Sequence, residues 1–145
     1  MLKVEEASWL PSAYRDLETF LHGHLPATGP DTALVLLLTD PERRDERGRR
    51  AGGALRAARE LGLRAGAIVA ADAADRIEPG LTPAGRVVLP EAPDLDPTAA
   101  ALFGTATALQ LLTERIARAR GTNPDPIRRD DERYRRASEA ADAED

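Results

Sequence analysis

Three side chains near the start of the sequence have the types and spacing for acid–base chemistry. Lys3 and Glu6 are three residues apart, so on a helix they share one face. The chain then returns through Pro11 to His22, which is followed by Gly23, a residue that allows close backbone approach. An ammonium, a carboxylate and an imidazole converging in this way can move protons near neutral pH, because a partly buried carboxylate is tuned upward as a base and an imidazole titrates close to neutrality. Lys3 is the only lysine beside nineteen arginines, which sets the position apart from the Arg bias of the chain.

Each of these residues also has a purely structural reading. Lys3 and Glu6 form a common helix-surface ion pair at this spacing, and histidines more often cap or pack than catalyse. Glu18 either lines the same pocket as His22 or interacts with a helix dipole at an N-terminus, and the second reading is preferred. Arg128 and Arg129 are placed to meet an anionic ligand or, next to Asp130 and Asp131, to join a solvated ion-pair network. Trp9, Tyr14 and Phe20 are read as core aromatics. The sequence contains no P-loop, no Gly-x-Gly-x-x-Gly, no His-Glu-x-x-His and no Gly-x-Ser-x-Gly, and its zero cysteines exclude thiolate ligands, a cysteine nucleophile and disulfides. Nothing in it points to a metal or an organic cofactor.

The elements that must position these residues are signalled by hydrophobic pattern. Three short aliphatic runs, Ala33–Leu38, Ala67–Ala70 and Arg86–Leu89, are bounded by turn residues or proline and read as parallel strands buried on both faces. Between the first two, Ala51, Leu55, Ala58 and Leu61 recur at helical spacing, and Gly62 is a C-terminal cap. The longest helix is expected from Pro97–Thr98 to Gly121, with an apolar stripe of Leu102, Ala106, Leu109, Leu112 and Ile116 packed on the sheet. A helix over residues 2–10 stopped by Pro11, an extended segment Ser12–Arg15 and a short helix around Leu17–His22 precede the first strand. This order predicts an α/β fold, a three-layer α/β/α sandwich with a mostly parallel sheet, formed by residues 1–126. Residues 127–145 are read as a charged tail whose Arg, Asp and Glu support i,i+4 pairs in a surface helix.

Bulk properties narrow the function classes. A net charge of −5 argues against a nucleic-acid partner, and the arginine-dense stretch Arg43–Arg50 is interleaved with acids, so it reads as a solvated helix face. The apolar runs are too short to span a membrane, and the N-terminus lacks a secretory pattern. A soluble, cytoplasmic protein is the expectation.

The segment Leu2–Leu10 followed by Leu17–His24 resembles the second sugar isomerase (SIS) domain of glucosamine-6-phosphate synthase and its deglycase and ketosamine-phosphate relatives, in which a Lys-x-x-Glu helix precedes a His-Gly-Pro at the spacing of Glu6 to His22. Ala108–Leu112 and Arg120–Asp125 are similar to that family's last helix and exit segment. The resemblance covers most of the chain, with a weakly matching middle. It implies that Glu6 moves the proton between C1 and C2 of an open-chain sugar phosphate, that His22 opens the ring, that Lys3 lies near the sugar oxygens, and that the histidine comes from a neighbouring subunit. This sequence departs from the pattern in carrying His24 where the family has proline, Glu18 four rather than three residues before His22, and Ile127–Glu132 in place of the family's C-terminal lysine loop. The Ser/Thr-rich phosphate loops belong to the family's first domain and nothing here resembles them; the second domain's opening strand, expected before residue 1, is missing as well.

The function expected from the sequence is a SIS-type domain that binds a phosphosugar or amino-sugar phosphate, one half of a site completed in a homodimer or by a second SIS-domain chain. An active isomerase or deglycase, and a non-catalytic structural remnant, are the alternatives.

Overall fold

The computed structural model describes residues 2–143, which fall into two compact units, one formed by residues 15–108 and the other by 2–14 together with 109–143.

The first unit contains a three-stranded parallel sheet in the order β1 (Ala33–Leu38), β2 (Arg64–Ala70), β3 (Arg86–Leu89). The molecule is therefore an α/β protein with a parallel sheet, as its alternating pattern predicts. β2 begins three residues before the aliphatic run that signals it, because Arg64, Ala65 and Gly66 pair with Ala33, Leu34 and Val35 of β1. Helix α3 (Arg44–Glu60) connects β1 to β2 and covers one sheet face. Its buried line is built from small residues, Ala51, Ala54 and Ala58, around the fully buried Leu55, and this closes a core with Leu36, Leu38, Ala65, Ala67 and Val69 of the sheet and with Ile77 and Leu81 beyond it. The predicted Leu61 instead lies at the helix end and is 39% exposed. Gly62 does cap the helix. Its φ of +71° lets its N–H reach the Arg59 carbonyl while Leu63 N–H reaches that of Ala58, a pairing that satisfies the last carbonyls.

The expectation that the strands are apolar and buried on both faces is corrected. Val87 and Val88 of β3 are about half exposed, at 49% and 48%, and Val35 of β1 is 41% exposed, since both are edge strands of a narrow sheet. The stripe assigned to the long helix α4 (Pro97–Arg120) is corrected in its first half, while Leu109, Leu112 and Ile116 are partly buried. Leu102 and Ala106 face solvent, while Gly104, Thr105 and Ala108 turn inward. The small residues decide this in the first half of α4: a Cβ on Gly104 would stand 3.1 Å from Leu89 of β3, and Thr105 Oγ1 donates to Thr39 Oγ1 at 2.8 Å just beyond β1.

Before the sheet, α2 (Leu17–Thr19) is capped by Asp16, whose carboxylate accepts from Thr19 N–H at 2.9 Å. The expected helix to His22 does not continue as an α-helix. Phe20–His24 forms a wider π turn and Leu25–Ala27 a 3₁₀ turn containing Pro26, with buried Phe20 as the anchor. Residues 12–15 have no regular structure.

In the second unit α1 (Leu2–Ser8) ends two residues earlier than predicted, because Trp9 takes a left-handed conformation (φ 57°). The carbonyls this leaves are satisfied by Thr122 Oγ1, which donates to Ala7 O at 2.6 Å, and by Arg120 Nε, which donates to Ser8 O at 2.8 Å. The second half of α4 ends at Gly121 (φ 68°) with the same capping pairing as α3. Helix α5 (Glu132–Asp142) has no buried residue and carries the expected i,i+4 pairs, Arg135 with Glu139 and Arg136 with Glu132.

Candidate functional site

The predicted site residues divide between the units. Lys3 and Glu6 lie on α1 in the second unit; Glu18 and His22 lie on α2 and the π turn in the first.

Helical spacing brings Lys3 Nζ to 2.8 Å from Glu6 Oε2. The lysine side chain is 85% exposed and the glutamate 27%, so the carboxylate is held on the helix surface with a cation on its open side. The neighbouring Glu5 is used structurally, accepting from Ser12 N–H at 2.8 Å and fixing the chain after α1.

His22 is reached by a residue that sequence reasoning did not single out. Arg50, on α3, donates from Nη2 to His22 Nε2 at 2.9 Å and pairs with both carboxylate oxygens of Glu18. Arginine has no acceptor atom, so this geometry makes His22 Nε2 the acceptor and leaves the ring proton on Nδ1. Glu18 Oε2 stands 3.4 Å from the same nitrogen. The hydrogen bond from Arg50, and then the charge of Arg50, hold the Glu18 carboxyl below its ordinary value; in return Glu18 raises that of Arg50. Glu18 thus acts chiefly as a partner for Arg50 rather than as a helix-dipole charge. Arg50 is 28 residues from His22 and 32 from Glu18, a separation with no local signal.

Gly23 needs no special freedom here. Its φ is not positive and nothing lies within 4 Å of the place a Cβ would take, so the close approach expected at this residue does not occur. His22 and Glu18 are exposed side chains, at 73% and 62%.

No family model matches this chain, and no curated protein or solved structure is significantly similar to it.

Beside the Glu18–Arg50 pair runs an open cleft of about 450 Å³ lined by Glu18, Glu46, Arg49 and Arg50, adjoining another of about 580 Å³ lined by Arg43, Arg44, Asp45, Glu46, Arg49 and Arg76. The Arg43–Arg50 stretch is solvated only in part, since the Arg44 side chain is 17% exposed and Gly48 is buried, and most of its arginines are paired: Arg43 with Glu46, Arg44 with Asp72, Arg47 with Asp40 and Arg50 with Glu18.

Arg128 is placed differently from either sequence reading. Its guanidinium carbon sits 3.9 Å from the Tyr134 ring centroid and 4.7 Å from that of Trp9, so two aromatic faces hold it. Ile127 and Arg128 both have positive φ, at 47° and 61°, which turns the exit segment sharply. Of the three aromatics assigned to the core, only Phe20 is buried; Tyr14 is 67% exposed and Trp9 is half-buried against Arg128. Among the described residues no group of three or more His, Cys, Asp or Glu is arranged to hold a metal, and no helix is long and apolar enough to cross a membrane.

Proposed function

We propose that this chain is a SIS-type domain that binds a phosphosugar or amino-sugar phosphate, with its site completed by a second copy or by another SIS-domain chain. The observation that carries the reading is the exposure of two of its site groups: the His22 side chain is 73% and the Lys3 side chain 85% open to solvent, each beside an acidic partner. Groups presented outward in this way suit a site closed by a second surface. The parallel α/β architecture and the His-Gly and Lys-x-x-Glu resemblances support the same reading. In it Glu6 is the carboxylate base for the C1–C2 proton, Lys3 meets the sugar oxygens, and His22, whose Nε2 lone pair already accepts from Arg50, takes part in ring opening.

The test is the solution mass and thermal stability of the purified chain with a panel of hexose and aminohexose 6-phosphates. Ligand that binds the folded state raises Tm as its concentration passes Kd. A dimer whose Tm rises, with the rise lost in Glu6→Gln or His22→Ala, supports the reading; a monomer that no sugar phosphate stabilises refutes it. Turnover of the same compounds to the ketose or free sugar distinguishes an active isomerase or deglycase from a binding domain.

A further inference from the structure

Helix α3 carries, at Arg49, a guanidinium that its neighbouring carboxylates leave unpaired among the described residues. On a helix an arginine finds carboxylates three and four positions earlier, and for Arg49 these are Glu46 and Asp45. Both are taken. Arg43 Nη2 lies 2.6 Å from Glu46 and Arg76 Nη1 lies 2.8 Å from Asp45. Three and four positions later stand Gly52 and Gly53. Arg49 therefore has no ion-pair partner among the described residues, while it lines both of the adjoining clefts. Every other arginine of those linings is paired, Arg44 with Asp72, Arg50 with Glu18, and Arg43 and Arg76 as above.

The free group has the chemistry of an anion receptor. A guanidinium presents planar N–H pairs that match two oxygens of a phosphoryl group. α3 has no side-chain cap at its N-terminus, so the positive end of its dipole adds to the same field. The carboxylates of Asp45 and Glu46, which would repel an anion, are already bound by Arg76 and Arg43. Arg50 follows Arg49 in sequence and touches His22, which links this cleft to the imidazole.

We infer that the clefts along the first turns of α3 bind the phosphoryl group of a small phosphorylated ligand, with Arg49 as its principal contact and Glu18 as the group that competes with it for Arg50. The identity of that ligand as a phosphosugar rests on the function proposed above; the anion site itself does not.

The experiment titrates the full chain with inorganic phosphate, glucose 6-phosphate and glucose, following heat or Tm, in the unsubstituted protein and in Arg49→Gln, Arg56→Gln and Glu18→Gln. Arg56 is an exposed arginine of the same helix that lines neither cleft, so it controls for general charge. Circular dichroism confirms that the variants fold. The expected result is that Arg49→Gln weakens both phosphate-bearing probes by about tenfold, the scale of one charge-assisted hydrogen bond, that Arg56→Gln leaves them unchanged, and that Glu18→Gln tightens them. Glucose 6-phosphate bound equally by Arg49→Gln and the parent overturns the Arg49 site and leaves the phosphosugar reading standing. Phosphate bound through Arg49 with no gain from the sugar supports the anion site and sinks that reading. Equal weakening by Arg56→Gln, or no binding of either probe at millimolar concentration, overturns the inference.

Discussion

Arg76 reaches across from the 3₁₀ turn after β2 to place Nη1 2.8 Å from Asp45 Oδ1 in the first turn of α3. The contact joins residues 31 positions apart and removes from Arg49 one of the two carboxylates that helical spacing provides. Gly48 makes room for it, since a Cβ there would stand 3.1 Å from both Cβ and Cδ of Arg76. A local rule is thus overridden by packing, and an unneutralised cation is the result.

Leu55 is completely buried between α3 and the sheet. Truncation to alanine removes its apolar contacts and leaves a cavity among residues that are already small, so Leu55→Ala is expected to destabilise the chain by about 2–5 kcal/mol. Urea unfolding followed by circular dichroism measures this.

Gly66 in β2 and Gly23 in the π turn predict opposite responses to alanine. A Cβ on Gly66 would lie 3.2 Å from the backbone carbonyl of Gly85, which cannot swing away, and Gly66→Ala is expected to cost about 1–3 kcal/mol. At Gly23 nothing is within 4 Å and φ is not positive, so Gly23→Ala is expected to be neutral or to stabilise by up to about 1 kcal/mol through the unfolded chain. Midpoints of thermal unfolding separate the two.

The Arg128 contact has a built-in reporter, because Trp9 is the only tryptophan. Removing the guanidinium uncovers the ring, so Arg128→Ala is expected to shift Trp9 emission to longer wavelength and to lose about 0.5–1 kcal/mol. Tyr134→Ala should give a smaller spectral change in the same direction, since it releases Arg128 without removing it. An unchanged emission spectrum in Arg128→Ala would contradict the stacked geometry.

Stability should fall in acid for a stated reason. Arg50 depresses the Glu18 carboxyl, and Arg133 and the backbone N–H of Glu42 do the same for Asp131 and Asp40 respectively. A carboxyl whose folded value lies below its unfolded one binds fewer protons in the folded state, so its contribution is present above the unfolded value and is lost as pH falls through the folded one. The window therefore opens near about pH 4 and extends downward. Glu18→Gln should lower Tm slightly at pH 7, and the difference from the parent should vanish toward pH 3; a difference that persists in acid would show that Glu18 does not act through its charge.

How much of this was legible in advance depends on range. The aliphatic runs of β1 and β3 and the glycines at 62 and 121 mark their elements locally, because a run of branched side chains and a left-handed cap are decided by sterics within a few residues. The Lys3–Glu6 pair was legible for the same reason, whereas Glu18, read as a helix-dipole charge, lies 3.4 Å from His22 Nε2. The buried face of α4 was not, since hydropathy favoured Leu102 while the close approach of Leu89 required the small Gly104. Nor was the partner of His22. Arg50 is one of nineteen arginines, and only the packing of α3 beside the π turn selects it. The sequence by itself determined the elements, their order and the charges they carry, through interactions that span a turn or a strand. The tertiary structure alone decided which of those charges meet, because pairing between distant residues depends on backbones that only the assembled core brings together.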